Sequence, residues 1–295
     1  MHGLIPQLIA PAVKSKDALV REEGLVCLSL CALLDKNLAV DVFGLFVSEV
    51  HPKVDEDGDP IELDEGARTI RVRATQIVFD LLLTLGMRSL CGGTAAAANN
   101  GRRRRKKIAA PGAGAASSAT QDDQYYLDDD DDEVETGVEG QDWEWVDDSD
   151  EHGVGPDGLT AAQRTSHAAN EMTAFLLTLL EDDELPIQAI AAEGIAKLML
   201  AGMVADSEQA IRSLVLIYMS PQTAANQQLR QCLSYFIPVY ALSQRAHQRT
   251  IANIFLRVLS VLTELYLEKD DDQVMVTPLQ VAMQLADWTD PEKAM

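Results

Sequence analysis

The 295 residues are 47% hydrophobic but only 5% aromatic, and aliphatic residues with Ala supply most of the apolar content. That mix suits helices packed on helices and speaks against a sheet-rich fold. The formal net charge of −23 disfavours nucleic acid on average, yet residues 91–158 hold 17 acids and 6 bases, −11 of that total, so a local basic stripe elsewhere is not excluded.

The chain opens Met1-His2-Gly3-Leu4-Ile5-Pro6, without the basic-then-apolar order of a secretory signal. No apolar run free of breakers reads as long enough to cross a bilayer, so a soluble intracellular protein is expected. Helical periodicity then predicts helices over 4–13, 17–34, 37–50 and 67–90. In the last of these, Ile70, Ala74, Ile77, Leu81 and Leu85 share one face. Cys27 and Cys31 lie inside an apolar run and, with Cys91 and Cys232, form no CxxC pair. They read as small buried hydrophobes in a reducing compartment.

Residues 91–158 break the pattern. An Ala tract is followed by the basic run Arg102, Arg103, Arg104, Arg105, Lys106 and Lys107, then by a Gly/Ala/Ser stretch and acidic clusters from Asp122 to Glu151. Such a segment buries too little apolar surface to offset its ordering entropy and is predicted to be a long disordered insert. The basic run reads as a nuclear import signal, a DNA tether or a solvated tract balancing the acids. The acids read as a solvated spacer or a nucleic-acid mimic. Trp143 and Trp145 within them suggest a short partner-binding motif, and Ser149 before Asp150 and Glu151 a phosphorylation site.

Periodicity resumes with predicted helices at 160–181, 186–201, 207–219, 225–243, 247–268 and 277–288. Met172, Phe175, Leu176 and Leu179 form one stripe. Leu229, Cys232, Leu233, Phe236 and Tyr240 form another, and Ile251, Ile254, Phe255, Val258, Leu262 and Leu265 a third. Thr160 with Gln163, and Asp206 with Gln209, have capping-box spacing, while Pro52, Pro221 and Pro291 follow helical runs. Short connections imply antiparallel hairpins. The hairpins repeat weakly: Val20 to Leu25, Ile70 to Thr75 and Ile190 to Ile195 each carry an aliphatic residue and, four positions on, a small one, Gly24, Ala74 or Gly194. With the insert discounted, the spacing is near the HEAT period of roughly 40–47 residues. The expected fold is all-α, a HEAT-repeat α-solenoid of antiparallel helix hairpins. Residues 1–90 and 159–295 would carry the repeats, separated by the insert at 91–158.

Catalysis has little support. His2, His51, His152, His167 and His247 are scattered, and no HExxH, P-loop or dinucleotide-binding glycine pattern occurs. No catalytic residue, metal, cofactor or small-molecule substrate is expected.

Two segments carry a resemblance. One runs from Val20 to Ala39 and contains Arg21-Glu22-Glu23-Gly24-Leu25; the other is Leu229-Arg230-Gln231-Cys232-Leu233-Ser234-Tyr235-Phe236-Ile237-Pro238, continuing to Ser243 and followed by His247-Gln248. Both resemble the C-terminal region of the CAP-G-type HEAT-repeat subunits of condensin (the subunit 3 family), as does the ending Leu285-Ala286-Asp287-Trp288-Thr289-Asp290. Family members are several times longer, and His247 stands where their pattern has Asn. The resemblance implies a non-catalytic scaffold in mitotic chromosome condensation, located in the nucleus and on chromosomes. It implies kleisin and SMC ATPase subunits as partners, DNA bound through the assembled complex, and no membrane. A transport adaptor of the importin type, binding peptide or protein cargo, is the alternative. Arg245 and Arg249, one turn apart, with Arg257 beyond them and Arg71 and Arg73 on an earlier helix, are the candidate DNA contacts. Solvated surface or pairing with nearby acids is the alternative for each.

Overall fold

A computed structural model describes residues 3–52, 63–91, 159–204, 206–269 and 274–293. The insert expected at 91–158 lies outside these apart from Cys91. The first helix, α1 (Ala10–Val13), continues a π-helical turn at Ile5–Ile9. It is followed by α2 (Ala18–Leu34), α3 (Lys36–Val50) and α4 (Glu65–Leu85). Beyond the insert come α5 (Ala161–Thr178), α6 (Leu185–Leu200), α7 (Ser207–Met219), α8 (Gln227–Ser243), α9 (Arg245–Glu268) and α10 (Pro278–Trp288). Among the described residues no strand forms.

Side-chain caps set most helix starts. Asp17, Asp35, Asp64, Asp206 and Asn226 each accept a backbone N–H of the following turn. Asp35 also ends α2, so one extended residue closes one helix and opens the next. Thr160 and Gln163 bond reciprocally at the start of α5, as their spacing predicts. Thr277 and Gln280 do the same at α10, a box whose spacing was equally present in the sequence. Stops differ. The helix expected over 67–90 breaks at Gly86, whose φ of 85° lies in the left-handed region, before a short helical turn at 87–91. Beyond α6, Gly202 has φ 66°, and its N–H and that of Met203 return to the carbonyls of Met199 and Leu198, the paired bonds of a Schellman end.

The helices stack in two rows. α2, α4, α6 and α8 pack each against the next. In the second row His51, capping α3, lies 4.4 Å from the Phe175 ring of α5, the turn after α5 meets α7, and α7 packs on α9. Each first-row helix also meets the second-row helix before it, as α4 meets α3 and α8 meets α7. This is the stacked-hairpin solenoid that the periodicity predicts. Between the rows Phe43, Phe46, Leu81, Leu82, Ile187, Leu198 and Ile211 are fully buried, each side chain contributing roughly 1.5–3 kcal/mol.

The small residues of the repeat do the close packing. A Cβ on Gly24 would fall 2.7 Å from the Val13 nitrogen of α1, and one on Gly194 would fall 2.2 Å from the Phe79 ring of α4. Two expectations need correction. Cys27 is exposed, not buried, while Cys31 and Cys91 are buried and Cys232 is half-buried. And α9, 24 residues long, is long and apolar enough by length and composition to cross a membrane. Its scattered charges hid this from a search for unbroken runs. Its Ile251, Ile254, Val258 and Leu262 are nevertheless buried, and the helix packs on α7, α8 and α10.

The packing predicts a contrast between two glycines. Gly194→Ala forces a methyl into the Phe79 ring and should cost about 1–3 kcal/mol. Gly44→Ala, with nothing within 4 Å, should be neutral or stabilise by up to about 1 kcal/mol. Thermal melting of both variants checks this; equal melting points would contradict the close approach.

Candidate nucleic-acid interface

The corner between α8 and α9 presents the two arginines. Gln244, extended at φ −152° and ψ 144°, separates the helices. His247 fastens the corner from inside. Its ring stacks on Tyr240 at 4.0 Å and 12°. Its Nδ1 lies 3.0 Å from the Tyr240 carbonyl and 2.9 Å from the Ser243 hydroxyl, which itself donates to that carbonyl. With hydrogen on Nδ1, the imidazole caps the end of α8, which gives His247 a structural role. The buried Gln248 donates to the Asp290 carbonyl at 2.7 Å, tying the same turn to the chain beyond α10.

Arg245 and Arg249 occupy the opposite side of that turn, and both are exposed. Among the described residues neither forms an ion pair. Arg245 opens the first turn of α9, where the helix dipole is positive and disfavours a cation by roughly 0.3–1 kcal/mol, and Arg249 follows one turn on. Two guanidinium groups and a helix terminus therefore add positive charge here, and neither guanidinium is within ion-pair distance of a described carboxylate. Such a spot can accept phosphate.

The other candidates are placed differently. Arg257 lies 3.8 Å from Glu208 of α7, an exposed pair of little energetic weight. Arg73 reaches Glu22 of α2 at 3.2 Å and donates to Gln76 at 2.9 Å. Arg71 is 7% exposed and points inward. Its Nε donates to the Val50 carbonyl at 2.8 Å, Nη1 to Asp182 Oδ1 at 3.0 Å, and Nη2 to Asp182 Oδ2. Its fork is fully engaged inside the solenoid, which takes it out of the set of residues that can meet a phosphate. The spacing that placed Arg71 beside a stripe could not show that its partner lies 111 positions away. Arg71 and Arg73 on α4 thus do not join Arg245 and Arg249 in one stripe, since α4 packs on α2, α3 and α6 while α9 packs on α7, α8 and α10. The basic run Arg102 to Lys107 lies outside the described residues.

One surface feature escaped sequence reasoning. Between α6 and α8 an open groove of about 520 Å³ is lined by Ala196, Leu200, Cys232, Tyr235, Phe236 and Val239, with Glu193 and Lys197 at its edge. Tyr235 is 75% exposed. Burial pushes the Cys232 thiol pKa up, and the hydrogen bond to Glu193 raises that of Lys197. The signal was present as two apolar residues, Tyr235 and Val239, off the core stripe of α8. Among the described residues no three His, Cys, Asp or Glu side chains gather as a metal site.

Comparison with known proteins adds a lineage to this geometry. The profile of a family described as nuclear condensing complex subunits, C-terminal domain, matches residues 1–295. Condensin complex subunit 3 of Schizosaccharomyces pombe is 26% identical over 293 residues, covering 99% of this chain and 23% of that protein. The Homo sapiens protein of the same name is 25% identical over 292 residues, 99% of this chain and 22% of the relative. The Saccharomyces cerevisiae one is 39% identical over 121 residues, 38% of this chain and 12% of the relative. The chain thus spans less than a quarter of the length of these relatives. Its fold matches a chain in the crystal structure of the S. pombe condensin Cnd3–Cnd2 subcomplex with a TM-score of 0.63 at 23% identity, over all of this chain and 27% of that one.

The buried fork predicts unequal roles for neighbouring arginines. Arg71→Met leaves the mostly buried Asp182 carboxylate with no guanidinium partner, only the Glu184 N–H, and should destabilise by about 3 kcal/mol. Arg73→Met, removing a half-exposed pair, should cost less than about 1 kcal/mol. Urea denaturation separates the two; similar losses would refute the assignment of Arg71 as an internal tie.

Proposed function

The chain belongs to the family of nuclear condensing complex subunits, matching its C-terminal domain from end to end, and from that premise we propose that it is a non-catalytic HEAT-repeat scaffold of a condensin complex. It binds the kleisin subunit, joins the SMC ATPase subunits in the assembled complex, and contributes to DNA engagement in mitotic chromosome condensation, in the nucleus and on chromosomes. The observation that carries the reading is the family match across residues 1–295. It favours this scaffold over the transport adaptor.

Physical features support each part. A solenoid of stacked hairpins offers long side surfaces, and such surfaces suit extended partners. A kleisin partner is supported by the fold match to a subunit crystallised in a Cnd3–Cnd2 subcomplex. DNA engagement is supported by Arg245 and Arg249, exposed, adjacent and outside any described ion pair. Arg73 and Arg257 would play a lesser part, because each already faces an acid. Phosphate contacts of this kind add affinity without reading sequence.

Co-expression with the kleisin subunit tests the whole reading. The two chains should co-elute, and the pair should bind duplex DNA with a salt-dependent affinity. Arg245→Glu with Arg249→Glu should leave co-elution intact, weaken DNA binding, and reduce the slope of log affinity against log salt by about 2. Failure to co-elute would overturn the scaffold reading, and an unchanged affinity and slope would overturn the DNA contact.

A further inference from the structure

Three effects act against the turn that carries Arg245 and Arg249. The two side chains are exposed and stand four positions apart on α9, where like charges repel. Arg245 opens the helix, at the positive end of its dipole. And among the described residues no side chain caps that start: Gln244, the residue before it, makes no capping hydrogen bond. A helix end of this kind frays unless it is held from outside. The next two residues supply the hold. The N–H groups of His247 and Gln248 donate to the Gln244 carbonyl at 3.0 and 3.2 Å. The Gln248 side chain reaches the Asp290 carbonyl, beyond α10. His247 reaches back to α8, where its ring lies flat on the buried Tyr240 and Nδ1 meets the Tyr240 carbonyl and the Ser243 hydroxyl. That carbonyl lies in the last turn of α8, whose carbonyls lack helical partners. One imidazole thus closes α8 and orients α9, and its anchor is a core residue.

We propose that His247 is the positioning residue of the arginine pair: its stacked, carbonyl-bound imidazole holds the first turn of α9 so that Arg245 and Arg249 both reach phosphates of one duplex. His247 itself touches no phosphate and acts through the two guanidinium groups. The proposal rests on the DNA reading of these arginines and adds to it a side chain on which the contact depends. The chemistry is specific. A donor is needed where Nδ1–H meets the Tyr240 carbonyl, and a side chain without one leaves that carbonyl to the Ser243 hydroxyl alone.

The test uses the chain bound to the kleisin and follows log affinity for duplex DNA against log salt. His247→Ala should lower the slope by at least about 1, the loss of one phosphate contact. His247→Asn, whose amide N–H can take the place of Nδ1–H, should restore most of it. In an Arg245→Glu, Arg249→Glu background, His247→Ala should lower the slope no further. A role in stability alone would lower the melting point and leave the slope unmoved. Hydrogen exchange reads the positioning without DNA: His247→Ala should speed exchange of the Gln248 N–H at least about tenfold, and His247→Asn should not. Four results would overturn the proposal: an unchanged slope in His247→Ala, an equal loss in both arginine backgrounds, unaltered exchange at Gln248, or a His247→Asn as impaired as His247→Ala. The two levels fail differently. If the arginine substitutions leave affinity unchanged, the DNA reading falls and the proposal with it, whereas a normal arginine effect beside an unmoved His247→Ala slope defeats the proposal alone.

Discussion

One buried guanidinium ties together the stretches of chain that lie before and after the insert. Arg71, on α4, reaches the last carbonyl of α3 and both oxygens of Asp182, in the turn that leads into α6. The partners are 111 positions apart, with the insert between them. Asp182 also accepts the Glu184 N–H at 3.0 Å, so the turn holds its own shape around the fork. A few turns along, Gly194 lets α6 approach the Phe79 ring of α4. Without that contact the insert would separate two short stacks, each with an uncovered apolar face. With it, the stack runs from α2 to α8 without a break.

Much of this architecture could be read from the residues. Helix positions follow from the stripes and caps, and the small residues at 24, 74 and 194 mark a repeated close approach. What escaped reading has a common physical cause. Arg71 looked like surface because its acid is distant in sequence and near only in the fold. Cys27 looked like core because α2 is apolar on two sides, and periodicity cannot say which side is covered. The break at Gly86 needed a left-handed backbone, which glycine permits but does not demand. The α6–α8 groove joins residues from two helices, and no single stripe announces it.

The same division separates what holds the fold from what faces outward. At the α8–α9 corner, His247 and Gln248 turn inward and fasten the turn, while Arg245 and Arg249 are exposed and form no described ion pair. The inward pair fixes the position of the outward pair, so a structural change at His247 would be felt at the arginines. Among the described residues the stack thus displays charge at the α8–α9 corner and an apolar groove between α6 and α8 at set places.

The continuity of the stack across the insert is the claim on which the scaffold rests. It can be tested by placing a specific protease site between residues 92 and 158, cleaving the folded protein, and passing it through gel filtration under native conditions. The two fragments should elute together at the position of the uncut chain. Fragments that separate would show that the tie between α4 and α6 does not hold the halves as one body.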